Sequence, residues 1–217
     1  MNKKVSEAVI KRLPRYYRHL AQLIEQKIDR VSSNELSERM RITASQVRQD
    51  LNNFGGFGQQ GYGYNVLLLH EEIGHILGLD NELTCVLVGA GNLGHAVANY
   101  TNFSKRGFLI KAIFDNYSGL IGTKINDIKV QSVDGLCSYI AENNIDIAML
   151  AIPADSVKEL IDGILEAGIK GIWNFSYLDV DVPENVALVN VHLSDSLMTL
   201  AYKINENNNV TAAKQDS

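Results

Sequence analysis

Gly89-Ala90-Gly91-Asn92-Leu93-Gly94 fits the pattern G-x-G-x-x-G, and an acidic residue, Asp115, lies 21 residues past Gly94. Glycines at this spacing suit a phosphate. The first permits a tight turn, the second lets a pyrophosphate approach the backbone, and the third lets a helix pack close to a strand. A helix opening there offers unpaired N–H groups and the positive end of its dipole. Asp115 would accept hydrogen bonds from ribose hydroxyls and repel a 2′-phosphate. The next residue is Asn116 rather than Arg, so NAD(H) is favoured over NADP(H).

A second constellation lies upstream. The segment from Ala44 to Asn53 places Ala44, Val47 and Leu51 on one helical face and leaves Ser45, Gln46, Arg48, Gln49, Asn52 and Asn53 outside. Arg can read guanine, and Gln or Asn can read adenine, in the major groove. Ser45 and Gln46 lie near the N-terminal end, where a recognition helix meets base edges. Lys3, Lys4, Arg12 and Arg15 are candidates for phosphate contacts, which set affinity but not sequence preference.

The elements that must position these residues are legible from period and punctuation. Ser6 to about Lys27 is apolar at helical spacing, with Pro14 starting a second piece or kinking a long helix. Ser32-Ser33-Asn34-Glu35 and Thr43-Ala44-Ser45-Gln46 each read as a capping box, opening helices to about Met40 and Asn53. Joined by Arg41-Ile42-Thr43, they make a helix-turn-helix. The run from Phe54 to Tyr64 has five glycines, each costing ~1 kcal/mol in a helix interior. Its interleaved aromatics suit a short β-hairpin wing. Val66 to Leu79 is a connecting helix. From Leu83 strands alternate with helices: strands at 83–88, 109–114, 128–130, 145–152, 169–175 and 186–191, and a last helix from Ser194 to about Asn205. That alternation predicts a parallel sheet covered on both faces, with the glycine motif following the first strand and Asp115 ending the second.

The chain has 217 residues, 46% hydrophobic and 21% charged, an ordinary globular composition. No apolar run reaches the ~18 residues of a membrane span, and the N-terminus does not read as a signal peptide, so a cytoplasmic protein is expected. The net charge of -5 hides a division: residues 1–64 carry 11 basic and 6 acidic groups, and residues 65–217 carry 9 and 19. Only the first part is suited to a polyanion. His70-Glu71-Glu72-Ile73-Gly74-His75 evokes a zinc motif, but histidines five apart point ~140° apart on a helix, so no metal is expected. Cys85 and Cys137 form no disulfide framework and read as structural thiols. A dehydrogenase must position a substrate and proton donor against the nicotinamide. No Tyr-x-x-x-Lys occurs, and His95 and His192 are isolated.

The chain from about 6 to 205 resembles the Rex family of redox-sensing transcriptional repressors. The resemblance is carried by Gln46-Val47-Arg48-Gln49-Asp50-Leu51, Asn53-Phe54-Gly55-Gly56-Phe57-Gly58, Gly61-Tyr62-Gly63-Tyr64, Ile76-Leu77-Gly78-Leu79, the glycine motif, Ala167-Gly168-Ile169-Lys170-Gly171-Ile172, Asn174-Phe175 and Ala201-Tyr202. It implies a homodimer that binds a palindromic operator when NADH is scarce and is released by NADH, with NAD+ competing weakly. It implies target genes for fermentation and NADH reoxidation, and a C-terminal helix swapped onto the partner. By the same resemblance Arg48 and Gln49 contact DNA, and the wing, with Gly58, Gln60 and Tyr62, reaches the minor groove. Tyr100 lies near the nicotinamide, Arg18 changes partner between states, and Ala151-Ile152-Pro153 falls at the nicotinamide side. Family members commonly carry Asp where this chain has His192. That His could hydrogen-bond Tyr100, but when neutral it cannot salt-bridge Arg18.

The expectation is thus an α/β chain: an N-terminal winged helix-turn-helix domain with connector helix over 1–80, a C-terminal Rossmann-like NAD(H)-binding and dimerisation domain over 81–205, and a disordered tail over 206–217. A small NAD-dependent oxidoreductase and a nucleotide-sensing interaction module are the rival readings.

Overall fold

The computed structural model describes residues 5–55, 58–59 and 62–215. The chain falls into two compact units, 1–81 and 82–217.

The first unit contains α1 (Glu7–Glu25), β1 (Arg30–Val31), α2 (Ser33–Met40), α3 (Ala44–Asn52), β2 (Gly58–Gln59), β3 (Gly63–Asn65) and α4 (Val66–Ile76). Helix α1 is one long helix through Pro14, which sits on its exposed face, so of the two alternatives a second piece does not form. Its stripe of Val9, Leu13, Tyr16, Leu20 and Leu23 is buried. From Leu13 onward it joins Leu36, Met40, Val47, Leu51, Leu69 and Ile73 in one core beneath the helix-turn-helix. Ser32 and Glu35 form the reciprocal capping box. At α3 only half of one forms: Thr43 Oγ1 accepts from the Gln46 N–H, but the Gln46 side chain turns to Asp50. The three strands pair antiparallel in the order β1-β3-β2. Strand β1 is too short to be read from sequence. Gly63 has φ +69°, and a Cβ there would come within 2.6 Å of the Val31 carbonyl oxygen, so the wing needs glycine at this position.

The second unit contains β4 (Leu83–Val88), α5 (Asn92–Ala98), β5 (Phe108–Asp115), β6 (Lys124–Ile125), β7 (Ile128–Ser132), α6 (Leu136–Asn143), β8 (Ile147–Leu150), α7 (Ala154–Glu166), β9 (Gly171–Asn174), β10 (Ala187–Asn190) and α8 (Leu193–Gln215). The sheet order is β10-β9-β8-β4-β5-β7-β6. Its pairs are parallel except the unexpected edge hairpin β6–β7. Along β4 the side chains alternate between two cores. Val86 and Val88 pack with Phe114, Leu150 and Ile164; Cys85 and Leu87 pack with Ile113, Val130 and Met149. Both faces are therefore buried, as crossover helices require. Strand order reverses between β4 and β8, and the glycine loop leaves the carboxyl end of β4 at that switch point. On one side Trp173 packs edge-on to Phe103 at 5.5 Å and tilted against Phe175 at 4.4 Å.

The last helix corrects an expectation. It runs to Gln215, ten residues past Asn205, where a disordered tail was expected. The reason is local: no Gly or Pro interrupts the chain from Ser194 to Gln215, and Ala201, Ala212 and Ala213 favour helix over the Asn run. Its apolar side chains Leu197, Met198, Leu200, Tyr202 and Ile204 are 50–67% exposed.

Candidate nucleotide site and nucleic-acid interface

The three motif glycines are needed for three different reasons. Gly89 has φ +100°, and a Cβ on it would come within 2.8 Å of the Ala151 carbonyl carbon and of Ile152 Cγ2. Gly94 would place a Cβ 2.8 Å from the Gly89 carbonyl carbon and nearer still to its oxygen. Gly91 caps the start of α5, and a Cβ there would meet no protein atom within 4 Å. The first two hold the loop against β8 and α5, and the third keeps open space in front of the loop. Asp115 Oδ2 accepts from the Ala90 N–H at 2.6 Å and Oδ1 from the Tyr117 N–H at 2.7 Å. It therefore braces the glycine loop from β5, a role the sequence did not suggest.

A cleft of about 280 Å³ opens beside this loop. Of the residues singled out from sequence, Gly89, Gly91, Asp115, Ala151, Ile152 and Pro153 line it. Ala90, Asn92, Leu93 and Gly94 belong to the loop and α5 but do not line the cleft. Val133, Ser156 and Leu160 were not foreseen. The segment 151–153, expected at the nicotinamide side, lines the same cleft as Asp115 and Asn116. Tyr100 is outside this lining. It is 48% exposed, edge-on to Phe103 at 4.7 Å, and its hydroxyl accepts from Asn102 Nδ2 at 3.3 Å. His192 faces Asp179 at 3.8 Å and the Tyr177 ring at 6.3 Å, so it does not pair with Tyr100 within one chain. Arg18 is exposed on α1.

In the first unit, Ser45, Arg48, Gln49, Asn52 and Asn53 line one polar depression along α3. Arg48 Nη1 donates to Ser33 Oγ of α2 at 3.0 Å. Two expected phosphate contacts go elsewhere. Arg12 donates through Nε and Nη2 to the two oxygens of Asp50, each at 2.7 Å, and Arg15 donates to the Met40 carbonyl at the end of α2. For Arg12 the physical reason is Asp50. It is fully buried on the core side of α3, and an unpaired buried carboxylate is costly, so Arg12 and the Tyr16 hydroxyl converge on it. Burial pushes the Asp50 carboxyl up, but hydrogen bonds from Arg12, Gln46 and Tyr16 outweigh it and hold the group below the usual carboxylate range. Asp50 was missed, although its place three residues after Val47, beside Leu51, marks a charge on an apolar face. Arg30 was missed with β1. It donates to the Tyr62 carbonyl at 3.2 Å and lies 5.9 Å over the Tyr62 ring, which is 69% exposed on the wing. Gly58 contributes backbone to β2, and Gln60, Lys3 and Lys4 lie outside the described residues.

The zinc-like histidines diverge: His70 stacks on Tyr17 at 4.0 Å, and His75 pairs with Asp80. Among the described residues no group of three potential ligands converges on a metal. Burial raises the Cys85 thiol to about 12, far from a reactive thiolate.

Comparison with known proteins bears on both units. The family described as "Putative DNA-binding protein N-terminus" matches residues 4–52, and the "CoA binding domain" family matches residues 80–178. The redox-sensing transcriptional repressor Rex of Caldanaerobacter subterraneus subsp. tengcongensis is 57% identical over 208 residues, covering 95% of this chain and 93% of its own. The protein of the same name from Clostridioides difficile is 57% identical over 205 residues, covering 94% and 98%. The crystal structure of RSP in complex with β-NAD+ and operator DNA has a TM-score of 0.89 and 52% identity, covering 99% of each chain. RSP in complex with β-NADH has a TM-score of 0.89 and 50% identity, covering 97% and 99%. With relatives this similar over nearly its whole length, the chain belongs to the Rex family of redox-sensing transcriptional repressors.

Proposed function

We propose that the chain is an NADH-sensing transcriptional repressor, a regulator rather than an enzyme. It binds operator DNA through α3 and the wing when NADH is low and leaves it when NADH binds the second unit. The observation that carries this reading is the presence of two built sites on one chain: a polar recognition-helix face in one unit and a glycine-loop cleft in the other. The complexes of the similar RSP with NAD+ and operator DNA, and with NADH, support the same pair of ligands.

The cleft fits a nucleotide. Gly91 leaves room for a pyrophosphate where any side chain would intrude, and Asp115 has lone pairs left for ribose hydroxyls. Val133, Ile152 and Leu160 give it apolar walls for a base. The glycine loop and Asp115 in its lining suit the pyrophosphate and a ribose, so it serves the adenosine half. The uncharged dihydronicotinamide favours a closed apolar environment, and only that half can distinguish NADH from NAD+. Tyr100, Arg18 and His192 are the residues proposed to sense it.

A homodimer completes the reading. The exposed apolar stripe of α8 suits burial against a second copy, and the swapped arrangement would place it there. Light scattering that finds a monomer at micromolar concentration would sink the dimer. Two copies would meet half-sites about one helical turn, ~34 Å, apart. Among the described residues no helix is long and apolar enough to cross a membrane, and a DNA-binding repressor acts in the cytoplasm. The test is fluorescence anisotropy of a labelled operator duplex titrated with the chain, then with NADH or NAD+. NADH should release the duplex at concentrations where NAD+ does not. Retention unchanged by NADH refutes the proposal.

A further inference from the structure

Gln46 was expected among the base-contacting residues, but it is held before any DNA arrives. Its Nε2 donates to Asp50 Oδ1 at 2.7 Å, one helical turn along α3. Asp50 is fully buried and also takes two bonds from Arg12 and one from the Tyr16 hydroxyl. A carboxylate can only accept, so the Gln46 amide has one admissible orientation: nitrogen inward, oxygen away. Turning it over would set two acceptors against each other. Arg12 and Tyr16 both come from α1, so the clamp between α1 and α3 is complete without Gln46. Gln46 and Asp50 share one helix, so their bond does not join the two helices. What it fixes is the amide.

We infer that Asp50 is a positioning residue for base recognition: its buried carboxylate presets the Gln46 amide, which presents an acceptor beside its remaining N–H to adenine. This rests on the reading of α3 as the recognition helix. Adenine offers N6–H and N7 side by side in the major groove, the complement of that amide edge. An amide fixed in advance loses little freedom on binding, whereas a free Gln on an exposed helix must be ordered.

The test starts from a duplex that the wild-type chain selects from a randomised pool. Each base pair is then varied in competition assays with wild type, Gln46→Ala, Asp50→Asn and the double variant. Gln46→Ala should flatten an adenine preference at one position per half-site by roughly tenfold or more. Asp50→Asn should flatten the same position several-fold, because an Asn can donate or accept and so admits both orientations. The double variant should fall no further than Gln46→Ala, and other positions and the salt slope should hold. Arg12→Lys keeps the carboxylate and should lower the Tm while retaining the preference, which separates positioning from stability. With wild type, 7-deazaadenine at that position removes N7 and should weaken binding several-fold. Asp50→Asn overturns the inference if it leaves the preference intact or flattens all positions together. Should that variant not fold, the absence of any 7-deazaadenine effect overturns it instead. A pool that yields no preferred sequence overturns the reading of α3, and this inference with it.

Discussion

Gly91→Ala and Gly94→Ala should both weaken NADH binding, but for opposite physical reasons, and a melting curve separates them. Gly94 has the Gly89 carbonyl carbon 2.8 Å from where its Cβ would sit, well inside ordinary contact of 3.4–4 Å, and the obstacle is backbone. The loop and α5 must move apart to admit the methyl. Overpacking of this kind costs about 1–3 kcal/mol, and rigid backbone puts this site at the upper end. A loss near 2–3 kcal/mol lowers Tm by roughly 5–10 °C for a unit of this size. Gly91 differs. Its Cβ meets nothing within 4 Å, and its φ of -69° suits any residue, so the fold should keep its Tm within about 1 °C. Yet Gly91 lines the cleft, and the methyl occupies space where the pyrophosphate would accept N–H bonds. Hydrogen bonds to charged groups are each worth about 1.5–3 kcal/mol, so losing one weakens NADH roughly tenfold to a hundredfold. Calorimetric titration with NADH and differential scanning calorimetry give both numbers. Unchanged NADH affinity in Gly91→Ala, or a Tm loss equal to that of Gly94→Ala, would refute the assignment of the two glycines.

Three further outcomes are expected. Asp115→Ala removes both the ribose acceptor and the brace on the Ala90 N–H, so NADH should bind at least about tenfold more weakly while apo chain holds operator normally; unaltered NADH affinity removes Asp115 from the site. Arg48→Ala should reduce operator affinity by about 1–3 kcal/mol, with either a base preference lost or a salt slope smaller by about one, and anisotropy at several salt concentrations distinguishes these. Asp50→Asn should show a pH-dependent stability deficit. The Asp50 carboxyl is held below its unfolded value, so its stabilisation is present above about pH 4 and fades as pH falls through the folded value. Urea melts at pH 7 and 3.5 should show the gap from wild type narrowing at the lower pH; a constant gap would contradict the ion-pair account.

Legibility followed period. In the second unit β4 and β5 are short apolar runs and α7 repeats every 3.6 residues, so these elements and the glycine loop between β4 and α5 stand where the pattern puts them. The two-residue strands β1 and β6 carry no period and went unread. Asp115 could be singled out from sequence because it stands at a fixed spacing from a motif, but its brace on Ala90 could not, because that contact spans 25 residues. Arg12 looked like a phosphate contact because charge is visible in sequence, whereas the buried Asp50 that claims it lies 38 residues away. Long-range polar pairing leaves no local trace: Ser45, Arg48, Gln49, Asn52 and Asn53 lie on the outward side of α3 as its period predicts, whereas the turn of Gln46 toward Asp50 and the support from α1 went unread.

Trp173, the sole tryptophan of the chain, sits on β9 among Phe103 and Phe175 in the nucleotide-binding unit. The indole emission of this protein therefore belongs to one half of it. Reduced nicotinamide absorbs where indole emits, so energy transfer from Trp173 would report bound NADH without any label and remain blind to NAD+. A dye on the duplex reports the other half at a separate wavelength. One cuvette could then follow arrival of the reductant and departure of the DNA on a common clock, showing which event comes first.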